Sequence, residues 1–126
     1  MTNRFIQRNA NAAILANGAN GAAGNILSIA NNASLNPTAA VTVDIWHRPR
    51  SLKAAILFDN STGGVTNSYF VGIGADLSLL WYSTIGGLAK NITTTTSKLK
   101  LNEWNFITAT YDGANIYLFA NGAQFG

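Results

Sequence analysis

An all-β, antiparallel two-sheet sandwich is the fold this chain predicts, and three features of the sequence carry that expectation. Short runs of aromatic and β-branched residues recur along the chain, turn signals separate them every ten or so residues, and no helical periodicity of useful length interrupts them. The most informative stretch is Leu101 to Gly122, LNEWNFITATYDGANIYLFANG, where two strand-forming runs flank Asp112-Gly113. Asp-Gly supplies the left-handed backbone of a tight hairpin turn. A second such dipeptide, Asn121-Gly122, turns the chain toward a third strand.

Taken in order, residues 1 to 25 form an arm rich in Ala, Asn and Gly, with Phe5, Ile6, Ile14 and Leu15 as its large apolar side chains. Such a segment builds no core of its own. It reads either as a flexible arm with one short strand around Ala12 to Leu15 or as an arm that docks on a neighbouring subunit. Ile26 to Ile29 reads as a strand and Asn31 to Pro37 as a loop, since Asn-Asn and Asn-Pro favour turns. Val41 to His47 alternates: Val41, Val43, Ile45 and His47 are expected to face the core, and Thr42, Asp44 and Trp46 to face away. Pro49 ends the strand, because it has no amide hydrogen to offer.

Ala54 to Phe58 is the next apolar run, followed by a polar loop from Asp59 to Asn67. Tyr69 to Ile73 and Leu77 to Ser83 form a hairpin around Gly74, Ala75 and Asp76, with Leu77, Leu79 and Trp81 on one face and Leu80 and Tyr82 on the other. Gly86-Gly87 turns the chain into an edge strand at Lys90 to Thr96, and Lys98 to Leu101 leads into the last hairpin, where Trp104 is expected in the core.

Three blocks carry a family resemblance. The Trp-led strand, Tyr-Asp-Gly turn and Asn-Gly of the last hairpin, the earlier LSIANNASLNPTAAVTVDIWHRP (Leu27 to Pro49) and the central SYFVGIGADLSLLWYS (Ser68 to Ser83) together resemble the laminin-G-like, concanavalin A-like jelly-roll family over residues 26 to 126. The resemblance implies a jelly-roll sandwich over residues 26 to 126, which follows the arm that composition marks at residues 1 to 25. It also implies a closing Ile-Gly strand and an Ile-Asp-Glu strand after Gly126. The sandwich is therefore expected to be incomplete at its C-terminal side, and to be completed by further residues, by the arm, or by a strand from a neighbouring molecule.

Composition narrows the function. Of 126 residues, 48% are hydrophobic and only 10% charged, a balance suited to life inside a homo-oligomer or larger assembly. A net charge of +3 is too mild for a nucleic-acid footprint, and the basic run lacks interleaved exposed aromatics, so nucleic acid is not an expected partner. With no cysteine, disulfides and thiolate chemistry are excluded. The N-terminal segment, broken by Asn and Gly, does not read as a secretory leader, and no apolar run nears the ~20 residues of a membrane span. A virion or extracellular surface is the expected location.

The acids are Asp44, Asp59, Asp76, Glu103 and Asp112, and no two share one face of one strand, so the paired carboxylates of a glycoside hydrolase are not expected. His47, the one histidine, is expected to be a partly buried, hydrogen-bonded residue rather than a general base. No cofactor is expected; calcium, which the family often holds, has a conceivable loop at Asp59 and Asn60 but no acid cluster to supply its 6 to 8 oxygens. Recognition of, or adhesion to, carbohydrate or a cell-surface glycan is what the resemblance implies, and the want of paired acids makes a non-enzymatic module the expectation. Sugars stack on aromatic rings flanked by polar groups, and the candidate ligand-binding residues are Asp44, Trp46, Tyr82 and Tyr117, with Phe119 beside them on one open sheet face. For Trp46 the competing expectation is packing beneath a covering loop. Arg48, Arg50 and Lys53, joined by His47, Lys98 and Lys100, form a candidate anion site or a solvated edge that discourages mispairing. The alternative function is structural: a tail-fibre or capsid-decoration type protein of a virion or surface appendage, using the jelly-roll as an assembly block.

Overall fold

In the computed structural model, residues 33–60, 67–87, 89–95 and 97–125 are described, and they belong to one compact unit, Asn32–Gly126. The arm and the strands expected at 12–15 and 26–29 lie outside the described residues. Eight strands follow one another: β1 (Val41–His47), β2 (Ala55–Asp59), β3 (Tyr69–Ile73), β4 (Leu79–Ser83), β5 (Lys90–Thr93), β6 (Asn105–Tyr111), β7 (Ile116–Ala120) and β8 (Ala123–Gln124). They form two antiparallel four-stranded sheets, β1-β6-β7-β8 and β2-β3-β4-β5. The second is a meander of sequential neighbours, whereas the first is closed by the long-range pairing of β1 with β6. The predicted all-β sandwich is the observed architecture.

Alternation decides what each strand buries. Ile107, Ala109 and Tyr111 of β6 and Leu118 and Ala120 of β7 meet Tyr69, Val71 and Ile73 of β3 and Leu79 and Trp81 of β4 in one core. Val41, Val43 and Ile45 pack against it from β1, half-buried because β1 is a sheet edge. Phe58 and Trp81 both stack on Tyr69, at centroid separations of 5.5 and 6.0 Å. Such pairs add about 0.5–1.5 kcal/mol each beyond the area they bury. Ala33–Leu35 forms a short 3-10 turn, and the Leu35 carbonyl accepts the Tyr69 hydroxyl at 3.2 Å and Asn60 Nδ2 at 2.6 Å.

Several local expectations are corrected. Asp112-Gly113 does not make a two-residue turn: Gly113 is left-handed (φ 99°), but the loop runs Asp112 to Asn115, closed by Asp112 N–H donating to the Asn115 carbonyl. The Asp112 carboxylate competes for the backbone by accepting the Ala114 and Asn115 amides at 2.8 and 2.7 Å, which favours the wider loop. The tight two-residue turn is instead Asn121-Gly122, both left-handed (φ 52° and 83°), with Ala120 paired to Ala123. β4 begins at Leu79 rather than Leu77, because Leu77 is itself left-handed (φ 62°) within the turn. β5 stops at Thr93, and β2 is shifted one residue to Ala55–Asp59 with its register broken between Ile56 and Phe58.

Trp104 is the largest correction. It is 63% exposed, because the core position that opens β6 belongs to Asn105, which is fully buried. Asn105 Nδ2 donates to the carbonyls of Lys100 (3.0 Å) and Glu103 (2.8 Å), and Oδ1 accepts the Lys100 amide (2.9 Å) and Asn121 Nδ2 (3.2 Å). An amide satisfied four ways holds a buried place that an indole one residue earlier, on the opposite parity, cannot take. Replacing it by leucine strands those backbone groups, so Asn105→Leu is expected to lower unfolding stability by on the order of 3 kcal/mol, read from urea midpoints at unchanged m.

His47 closes the inner face of β1 opposite Asn105, but its Nε2 is buried and finds no hydrogen-bond partner among the described residues, against the hydrogen-bonded role expected of it. Burial holds its pKa below the ordinary imidazole value. The unfolded chain then binds a proton that the folded chain resists, so stability is full above the unfolded pKa and declines as pH falls below about 6.5. Urea midpoints measured between about pH 7.5 and 5.5 are expected to drop for the native chain and to flatten in His47→Gln.

Candidate functional site

The open face of the sheet β1-β6-β7-β8 is built by the same alternation that fills the core. Thr42, Asp44 and Trp46 of β1 stand directly across from Thr110, Thr108 and Phe106 of β6. Thr108 and Thr110 are in turn paired with Phe119 and Tyr117 of β7, and Phe119 with Gln124 of β8. On β6 and β7 these positions alternate with buried residues and on β1 with half-buried ones, so those of all three strands face away from the core.

Trp46 is 64% exposed and meets Phe106 at a ring-centroid distance of 5.0 Å, with the planes tilted by 37°. The expected covering loop is not found over it among the described residues. Beside this pair, the Thr108 hydroxyl donates to Asp44 Oδ1 at 2.6 Å, and the hydroxyls of Thr42 and Thr110 are 3.1 Å apart. The first bond fixes the carboxylate while leaving acceptor capacity toward solvent. Cross-strand pairs of this kind contribute roughly 0.2–1 kcal/mol each. By strand geometry, Trp46 and Tyr117 lie about 10 Å apart across the sheet and about 13 Å along it.

Of the four candidate ligand residues, Asp44, Trp46 and Tyr117 share this face. Tyr82 does not. It lies on β4, on the outer face of the other sheet, where it stacks on Phe70 at 5.4 Å. The local alternation of β4 was legible, but β1 bypasses that meander to pair with β6, a long-range choice no local pattern reports. Phe106 and Thr108 complete the face and were missed; their parity opposite Ile107 and Ala109 was the signal that could have found them.

Asp44 is tied to Thr108, and Asp76, Asp112 and Glu103 also have structural partners. Ser78 donates to Asp76 through its hydroxyl (2.6 Å) and its amide (3.0 Å), and these bonds, the hydroxyl foremost, hold the Asp76 carboxyl below the usual carboxylate range. The Asn115 and Ala114 amides do the same for Asp112. Both shifts run opposite to the raised pKa a general acid needs. Glu103 pairs with Lys100 at 3.5 Å. Asn60 fastens the Ala33–Leu35 turn through its amide nitrogen, which also reaches Asn36 Oδ1 at 3.4 Å. Among the described residues no three of His, Cys, Asp and Glu gather as metal ligands.

The candidate anion residues fall on the loop after β1. Arg48, Arg50 and Lys53 are all exposed, and Arg48 Nε donates to the Asn102 carbonyl at 2.8 Å. Asn102 N–H returns a bond to the Pro49 carbonyl at 2.7 Å, so this loop and the one preceding β6 are tied together. Lys98 instead sits 4.3 Å above the Phe125 ring. A shallow groove of ≈ 450 Å³ between β5 and the β6–β7 loop is lined by Ala89–Ile92 and Ala114–Ile116, with neither an aromatic ring nor a carboxylate. No described helix is long and apolar enough to cross a membrane.

A family model described as the concanavalin A-like lectin/glucanases superfamily matches residues 20–126. No curated protein and no solved structure gives a significant match. With most of the chain matched and two antiparallel four-stranded sheets enclosing one core, the chain belongs to the concanavalin A-like lectin/glucanases superfamily, as a laminin G-like domain.

Proposed function

We propose that the chain is a non-enzymatic recognition module that binds carbohydrate on the open face of β1, β6 and β7. The observation that carries this reading is the exposed Trp46 indole, packed on the half-buried Phe106 ring, beside the Thr108-anchored Asp44 carboxylate. An apolar sugar face stacks on the indole, and hydroxyls donate to Asp44 and exchange hydrogen bonds with Thr42 and Thr110. Tyr117, at the far end of the row, extends the platform beyond one hexose ring, which suits an oligosaccharide. The absence of catalysis is supported by the separate structural partners of Asp44, Asp76, Glu103 and Asp112. Glucanases, also named in the superfamily, need two carboxylates flanking one bond.

A structural role in a virion or surface appendage is the second reading, favoured by a charged fraction of only 10%. Glycan-array binding followed by titration of the best glycan separates the two. Trp46→Ala is expected to weaken binding roughly tenfold, as removal of an aromatic anchor does. Asp44→Asn is expected to weaken it less, and Tyr82→Phe on the opposite sheet to leave it unchanged. Absence of glycan binding together with ordered high-mass assembly would favour the structural role.

A further inference from the structure

Four of the six large apolar side chains that are exposed among the described residues fall in two short stretches: Trp46 (64%) and Leu52 (59%) in one, Leu101 (39%) and Trp104 (63%) in the other. The same stretches carry Arg48, Arg50, Lys53 and Lys100, all exposed, which is half of the eight basic residues of the chain. The two stretches are brought together by the Asn102–Pro49 backbone bond and by Arg48 reaching the Asn102 carbonyl, at the end of the sheet where His47 faces Asn105. Glu103 is the acid of these loops, and it pairs with Lys100; among the described residues no carboxylate pairs with Arg48, Arg50 or Lys53.

We propose that this end of the sandwich docks on an anionic lipid surface, with Trp104, Leu101 and Leu52 entering the headgroup region and Arg50, Lys53 and Arg48 meeting lipid phosphates and carboxylates. Charge complementarity names the sign of the partner, and the leucines name its kind. A polyanionic chain in water engages cations and aromatic rings but gains nothing from branched aliphatic tips, whereas a bilayer interface rewards both at once. Indoles settle at the headgroup level, and each basic residue near an anionic surface adds about 1 kcal/mol of attraction. Pre-ordering of both loops by the Asn102 bonds, with Asn105 beneath them, means little loop entropy is lost on docking.

The experiment is co-sedimentation of the full 126-residue chain with vesicles of phosphatidylcholine mixed with phosphatidylserine, against vesicles of phosphatidylcholine alone. Neither contains a sugar, so failure here leaves the carbohydrate reading standing, and failure of glycan binding leaves this one standing. Binding to the mixed vesicles that weakens with salt is expected. Removing two cations (Arg50→Gln with Lys53→Gln) should weaken it roughly fivefold per charge. Leu101→Ser with Trp104→Ser should weaken it at constant charge. All four positions are exposed, so both variants should keep the native circular dichroism, and each tests a different half of the surface. Sedimentation that ignores phosphatidylserine, or is unchanged in both variants, overturns the proposal. So does a concentration-dependent dimer abolished by Leu101→Ser, which would make a second copy the occupant. Tighter binding to a soluble polyanion that survives the loss of Leu101 and Trp104 would overturn it too.

Discussion

One buried amide sets the geometry of the sheet that carries the candidate site. Asn105 occupies a core position that an apolar residue would ordinarily take, and its side chain satisfies backbone groups of Lys100 and Glu103 while meeting Asn121 across the sheet. Asn121 in turn accepts the Phe106 amide and donates its own amide to the Phe106 carbonyl. The start of β6 is thereby fastened from below and from the side. Phe106 is held where Trp46 can lie against it, and Trp104 is turned outward on the same parity. In the low-dielectric core such a network is rigid when complete and costly when broken.

Polar side chains elsewhere follow the same economy of position. Asp76 and Asp112 close turns, Asp44 ties two strands, Glu103 answers a neighbouring lysine, and Asn60 secures the turn ahead of β1. A chain with so few charges uses the carboxylates it has as local fasteners. The open face of β1, β6 and β7 consequently carries ring surface beside an acceptor held in place by Thr108.

Alternation along single strands was legible in the sequence: β1 and β4 present the faces their period-two patterns imply, and Asn121-Gly122 makes the turn its backbone preferences demand. What could not be read locally was partnership. Tyr82 and Trp46 look alike as outward aromatics, yet they decorate opposite sheets, because pairing of β1 with β6 is a long-range choice and β4 pairs within its own meander. Trp104 was misplaced for a different reason: hydrophobicity suggested burial, while strand parity and the hydrogen-bonding capacity of Asn105 decided otherwise. The Asp112 loop widened because a carboxylate beside the turn recruited the amides that a tighter turn would have used differently.

The contrast between the two sheets reaches beyond the native state. Sheet β2-β3-β4-β5 is assembled from sequential neighbours, so each pairing closes a modest loop of chain. Sheet β1-β6-β7-β8 joins residues such as Asp44 and Thr108, 64 positions apart. Chain entropy therefore favours the meander as the earlier-forming layer, with the β6–β7 hairpin settling on it and β1 joining last. Trp46 and Asp44 ride on that last strand. The open face that carries them is thus complete only once β1 has paired with β6, and a chain that has gathered the meander alone would lack it.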